Sequence, residues 1–391
     1  MSRDHLTLAG GRILTPGGVL SPGWIRLTGN VIDAAGAGAA PGRPEVDLRG
    51  QWVLPGFIDL HVHGGGGASF TEGHEDDARK VAEFHHTRGT TNLLASLVTA
   101  PLAELEARSA MLAGLADEGV IAGLHLEGPF LSPARRGAQD PRHMLAPDVA
   151  VFERLHAAAR GHLRVITLAP ELPGAAAVIE AATRSGVTVA VGHTDATAEV
   201  TVSAIDAGAT HATHLFNGMR PPHHREPGAV GALLDRTEVT CELIADGVHL
   251  HDMVVRLAAR LAGPGRLVLV SDAMSAAGMP EGSYHLGSLR VTVAGGVARL
   301  TDDPGRAIAG STATLAGVVR HAVAAGLPVP DVAAAASAVP ARVLGLDDRT
   351  GALSPGRAAD LVICDDDFRP RAVMRQGEWL TGLEDLGRVE R

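Results

Sequence analysis

Eight short apolar runs set the framework of this chain. They cover residues 53–61, 91–97, 121–126, 163–168, 188–191, 211–215, 239–244 and 266–270, and alanine-rich helical stretches lie between most of them. Alternation of this kind marks βα units, whose parallel strands have to be covered on both faces. Eight such units predict an α/β fold, a closed TIM-like (β/α)8 barrel with its active site at the C-terminal strand ends.

The flanks read differently. Residues 1–54 hold short strand-like runs punctuated by Gly and Pro, with no long helical pattern. After the eighth run, Leu289-Arg-Val-Thr-Val-Ala-Gly-Gly-Val-Ala-Arg-Leu300 alternates about a Gly-Gly turn and predicts a hairpin. Two helical stretches follow, at 312–325 and 329–344, before strands and turns resume near Gly351. The expected organisation is a small discontinuous β-sandwich module from residues 1–54 and 346–391, around a barrel of residues 55–345. Residues 35–40 read as a loose loop.

Composition narrows the partners. Of the 391 residues 46% are apolar, enough for a large core, and the net charge of −10 argues against a nucleic-acid partner. A locally basic pocket for an anionic metabolite remains compatible with that charge. Only two cysteines, Cys241 and Cys364, are present, and they lie far apart. That predicts a reducing compartment and no disulfide framework. The first residues lack the apolar core of a signal peptide, and no run is long enough to span a bilayer. The expectation is a cytoplasmic protein with no membrane partner.

The ends of the predicted strands carry the chemistry. The first run ends in His61-Val-His63 and then four glycines. Side chains two apart on a strand share a face, so His61 and His63 form half of a metal site. The third run ends in Glu127, the fifth in Gly192-His193-Thr-Asp195, the sixth in His214 and the eighth in Ser271-Asp272. A lone His or Glu in a loop is usually just solvated. Potential ligands at five strand ends of one barrel face predict a metal centre. His85 and His86, on a helical stretch, read as solvated, and His223 and His224 as loop residues whose nearness to Arg225 leaves a phosphate role open.

These residues resemble the amidohydrolase superfamily. Many members carry a carbamylated lysine at the end of strand four; here the only lysine is Lys80, ahead of strand two. His125-Leu-Glu-Gly-Pro-Phe130, Gly192-His-Thr-Asp195, Thr213-His-Leu-Phe-Asn-Gly-Met219, Arg225-Glu-Pro-Gly228, Ala245-Asp-Gly-Val-His249 and Ser271-Asp-Ala273 are similar in order and spacing to the N-acetylglucosamine-6-phosphate deacetylase family. The resemblance implies metal-dependent hydrolysis of N-acetyl-D-glucosamine 6-phosphate in amino-sugar catabolism. It implies Glu127, His193 and His214 as principal metal ligands, with His61 and His63 sharing Glu127 in a second site. One or two divalent ions follow, Zn²⁺ foremost, with Fe²⁺, Mn²⁺ or Co²⁺ as alternatives. Asp272 matches the catalytic acid/base, and His249, Asn217 and Gly218 match substrate contacts. Arg225 matches a phosphate-binding arginine that relatives lend across a homodimer interface. Relatives often carry His after Gly-Ala where this chain has Gly137-Ala138-Gln139, which brings Ala138 and Gln139 into the substrate-binding set and leaves acyl or sugar preference open. Two rival readings remain at this point: a deacetylase of another N-acyl amino-sugar phosphate, and an inactive barrel kept for binding.

Overall fold

The computed structural model of the chain describes residues 5–382 and 386–388. An eight-stranded parallel sheet is formed by Phe57–Val62, Thr90–Leu97, Gly123–Glu127, Leu163–Leu168, Thr188–Val191, Ala209–Ala212, Thr240–Leu243 and Leu267–Leu269, paired in chain order. These are barrel strands one to eight below. The ring is completed by backbone just past strand eight: the Asp272 amide donates to the His61 carbonyl at 2.9 Å, and Val62 bridges Ala273. Strands such as Leu163–Leu168 are buried almost throughout, as expected for strands covered on both faces.

The chain clusters into two compact units, one of Met1–Asp59, His85–Asn92 and Leu315–Arg391, the other of Leu60–Phe84 and Leu93–Thr314. The first contains a nine-stranded sheet built from both ends of the sequence, including His5–Thr15, Gly18–Thr28, Val31–Ala37, Trp52–Pro55, Leu361–Cys364 and Pro370–Arg375. Leu8, Ile13, Ile25, Val53, Leu361, Ile363 and Met374 form its core. In the second unit a three-stranded antiparallel sheet, Gly282–Leu286, Leu289–Ala294 and Val297–Leu300, contains the hairpin read from the sequence. Its turn residues Gly295 and Gly296 have φ of +60° and +74°, the left-handed backbone a two-residue hairpin requires.

Several expectations need correction. Residues 53–61 are not one strand. The chain leaves the nine-stranded sheet at Pro55 and enters the barrel at Phe57. Gly56 sits between, where an added Cβ would lie 2.3 Å from Thr91 Oγ1. The stretch 329–344 is two helices, Val329–Ala336 and Ala338–Val343, broken at Ser337 with φ −144°. Part of the supposed loop at 35–40 belongs to strand Val31–Ala37. His85 and His86 are buried rather than solvated, and the His86 ring donates from Nδ1 to the Thr90 carbonyl at 2.6 Å.

Candidate metal centre and active site

Barrel closure brings the strand-end residues together. His61 lies on strand one and His63 just beyond it, Glu127 ends strand three, and His193, His214 and Asp272 follow strands five, six and eight. Three of them leave their strands with left-handed backbone: φ is +46° at His193, +27° at His214 and +49° at Asp272. For a residue with a Cβ this conformation costs about 1–2 kcal/mol. The turns direct these side chains inward instead of letting the strands run on.

Glu127 is the hub. Its Oε1 lies 3.0 Å from His193 Nε2 and 2.9 Å from His214 Nε2. Its Oε2 lies 3.3 Å from His63 Nε2, and His61 Nε2 is 3.5 Å from Oε1. Asp272 Oδ1 lies 3.3 Å from His63 Nε2 and 3.5 Å from His61 Nε2. Two candidate ligand sets result, His61–His63–Glu127 and Glu127–His193–His214, each with ligand atoms within 4.8 Å of one another.

The donor chemistry fits a metal. His63 Nδ1 is 3.2 Å from the Ser96 carbonyl and His193 Nδ1 is 2.8 Å from the Arg135 carbonyl. Carbonyls only accept, so both Nδ1 atoms carry a proton, and each ring in its neutral form presents a bare Nε2 lone pair. Those lone pairs face carboxylate oxygens and other imidazoles, with His61 and His63 Nε2 2.9 Å apart and those of His193 and His214 3.2 Å apart. A cluster of acceptors this tight calls for a cation at its centre.

The electrostatics agree. Burial disfavours the His61 cation, yet Asp272 and Glu127 overcome it and carry its pKa well above the ordinary histidine value. His193 is raised too, burial being outweighed by Glu127. The carboxylates that favour a proton there favour any cation. Burial pushes Asp272 up, but His61 and His63 outweigh it and hold the group below the usual carboxylate range, so it is ionised and able to accept a proton.

Behind the ligands lies a layer that sequence reasoning missed. Glu242, on strand seven, is buried; its Oε2 lies 3.2 Å from His61 Nδ1 and accepts from the His214 amide at 3.0 Å. Its Oε1 lies 2.9 Å from His211 Nε2. One carboxylate thus fixes the ring of one candidate ligand and the backbone of another. The signal was a lone Glu inside the apolar run 239–244. His125 is buried beneath the site between Ser96 Oγ at 3.0 Å and Thr167 Oγ1 at 2.8 Å, and burial followed by the nearby His61 lowers its pKa well below normal.

A cavity of about 230 Å³ opens onto this cluster. His63, Glu127, His193, His214 and Asp272 line it, as do Ala138, Gln139, Asn217, Gly218 and His249. Asp246 accepts from the Val248 and His249 amides, both at 2.9 Å, and lies 2.8 Å from His249 Nδ1, which leaves His249 Nε2 as the free ring atom. Gly218 has φ +60°, and a Cβ there would come within 3.0 Å of His193 Nδ1, so the loop can close on the histidine only without a side chain. Arg225 is exposed and outside the cavity lining; its guanidinium donates to His224 Nε2 at 2.7 Å. Gly64 lies so close to Ala68 O and the Ser275 amide, 2.5 and 2.9 Å from an added Cβ, that a side chain is excluded by backbone.

The sequence profile described as "Amidohydrolase family" matches residues 52–380. An N-acetylgalactosamine-6-phosphate deacetylase of Escherichia coli O157:H7 is 37% identical over 373 residues, covering 94% of this chain and 97% of that protein. An N-acetylglucosamine-6-phosphate deacetylase of Lysinibacillus sphaericus is 34% identical over 343 residues, covering 86% of this chain and 88% of that protein. Among solved structures, an Asp-to-Ala variant of the Mycobacterium smegmatis N-acetyl-D-glucosamine-6-phosphate deacetylase, in complex with N-acetyl-D-glucosamine-6-phosphate, matches with a TM-score of 0.94 and 44% identity, covering 97% of this chain and 100% of that one.

Proposed function

This chain belongs to the amidohydrolase family, and on that premise we propose that it hydrolyses N-acetyl-D-glucosamine 6-phosphate to D-glucosamine 6-phosphate and acetate, a step of amino-sugar catabolism. The observation that carries the reading is the convergence of Glu127, His193, His214 and Asp272 on one cavity.

Glu127, His193 and His214 would hold the principal divalent ion, and His61 and His63 would hold a second one that shares Glu127. Nitrogen and carboxylate donors suit Zn²⁺ best, with Fe²⁺, Mn²⁺ or Co²⁺ as substitutes. Such an ion supplies Lewis acidity and lowers the pKa of water from about 15.7 toward 7. Asp272 accepts the proton of the attacking water as its oxygen bonds to the acetyl carbon. It then delivers that proton to the nitrogen as the C–N bond breaks, so the amine leaves neutral. His249, held through Nδ1 by Asp246, turns Nε2 to the substrate. Asn217, Gly218 and Ala138 line the sugar side. Arg225 binds phosphate with its forked donors in the cavity of a partner copy. Its exposure, off the cavity of its own chain, supports that homodimer. Two buried free thiols, Cys241 and Cys364, support a cytoplasmic location. Among the described residues no helix is long and apolar enough to cross a membrane.

A second reading, the galactosamine epimer as substrate, is favoured by the Escherichia coli O157:H7 relative, which matches 94% of this chain. Acetate release by the purified protein with each epimer, supplied in turn with the four metals, tests both. Higher kcat/KM on the glucosamine compound supports the main reading and the reverse order supports the second. No release from either compound with any metal rejects both.

A further inference from the structure

Gln139 lines the cavity, but its amide is already committed at both ends. The Thr99 amide, just past strand two, donates to Gln139 Oε1 at 2.8 Å. A backbone N–H only donates, so the oxygen of the Gln139 amide must face Thr99 and its NH₂ must face the other way. That NH₂ donates to Glu127 Oε2 at 2.6 Å. Gln139 is 3% exposed and its own backbone amide is tied to the Arg136 carbonyl at 3.0 Å. The next residue, Asp140, is also 3% exposed and is held by Arg142 Nη2 at 2.5 Å and by the Ser288 hydroxyl. The loop after strand three is therefore anchored on both sides of the amide, and that amide links it to the end of strand two and to the hub carboxylate.

A carboxylate shared by two ligand sets has a rotational problem. Turned about its last torsion, it presents both oxygens to one set and abandons the other. Glu127 has histidine nitrogens near both oxygens, and nothing in those rings chooses between orientations. The hydrogen bond from Gln139 chooses, because it reaches Oε2 alone. It also occupies one lone pair of the oxygen that faces His63 at 3.3 Å.

We propose that Gln139 is a positioning residue for the metal centre: it fixes the Glu127 carboxylate with Oε1 toward His193 and His214 and Oε2 toward His63, and so sets how firmly the second cation is held. Its part in catalysis is played through Glu127 and not through the sugar. This rests on the hydrolase reading for its effect on turnover, but not for its effect on ion binding.

The test uses Gln139→Met, which keeps length and apolar packing and removes the donor, and Gln139→Glu. Metal-free wild type and variants are titrated with Zn²⁺ against a competing chelator, with stoichiometry read by elemental analysis. Outer hydrogen-bond partners of metal ligands are worth about 10–100-fold in affinity. The methionine variant should lose that much at the weaker of the two sites and less at the tighter one. In turnover, kcat should fall with KM within about threefold, since a donor acting on a ligand is felt in the reaction and not in sugar binding. The glutamate variant keeps the shape but sets a second carboxylate against Oε2, and it should not restore wild-type affinity. Unchanged Zn²⁺ affinity at both sites in a folded methionine variant overturns the proposal. A raised KM with kcat and ion binding intact also overturns it and returns Gln139 to the substrate. If neither wild type nor variants turn over sugar phosphate, the hydrolase reading fails, while the titration still decides the role of Gln139.

Discussion

Replacing Glu242 by Gln tests the layer behind the metal centre. The carboxylate takes three contacts: His211 Nε2 at 2.9 Å on Oε1, and His61 Nδ1 at 3.2 Å and the His214 amide at 3.0 Å on Oε2. Glutamine has the same shape but only one acceptor oxygen. Placed toward His61 and His214, that oxygen keeps both contacts without the charge; placed the other way, an NH₂ meets two donors. The first arrangement is therefore the cheaper. A charge-assisted hydrogen bond contributes about 1.5–3 kcal/mol against about 0.5–1.5 for a neutral one, so two weakened contacts amount to roughly 1–3 kcal/mol. That matches the 10–100-fold loss of metal affinity, about 1.4–2.7 kcal/mol, that partners behind ligands typically command. Glu242→Gln should thus bind Zn²⁺ about 10–100-fold more weakly in a chelator competition, and its metal-free form should melt below wild type. Glu242→Ala should fare worse, because it strands buried donors at about 1–3 kcal/mol each. Wild-type Zn²⁺ affinity in a folded Glu242→Gln protein would refute the claim that this carboxylate holds the ligands in place, whatever happened to its melting temperature.

Three further outcomes follow from the same geometry. Asp272→Asn should retain metal while losing about 10²–10⁴-fold in kcat, the range for a proton-transfer group; near-normal turnover removes Asp272 from the reaction. On the proposal of a homodimer with Arg225 lent across it, mixing Arg225→Ala with Asp272→Asn subunits should restore activity to about a quarter of wild type, half of the dimers being mixed with one intact site each; no recovery after subunit exchange would place Arg225 in its own chain's site or in none. Asp246 is pushed up by burial but held below its ordinary range by His249. A carboxylate lowered on folding stabilises above its unfolded pKa, near 3.9, and that stability fades as pH falls through the folded value. The melting advantage of wild type over Asp246→Asn should therefore be constant from about pH 5 to 8 and shrink below about pH 4; a gap unchanged at pH 3 speaks against it.

Residues with a periodic or terminal signature were legible in the sequence, and residues defined by a neighbour were not. The βα rhythm gave all eight barrel strands within a few residues, because apolar runs between helices have one economical arrangement. Glu127, His193, His214 and Asp272 stood out because polar residues at strand ends interrupt that rhythm. Gly56 did not stand out: its role depends on Thr91 lying beside it, which no local pattern announces. The same holds for Glu242. Inside an apolar run a single Glu reads as an irregularity until His61 and His211 are seen to flank it. His85 and His86 were misread because a helix pattern with polar residues does not say which face is covered. Gln139 was assigned to the substrate by its position in a motif, whereas its two hydrogen bonds, to Thr99 and Glu127, depend on strands brought together from a distance.

The left-handed turns at His193, His214 and Asp272 bear on attempts to make this protein more heat-resistant. Each of these positions would be more comfortable as glycine, which visits that backbone region freely. Selection for folding alone would drift toward glycine there and strip the cavity of two imidazoles and a carboxylate. Hardening screens should therefore score ion retention beside melting temperature, since the easiest gains lie where they do the most harm.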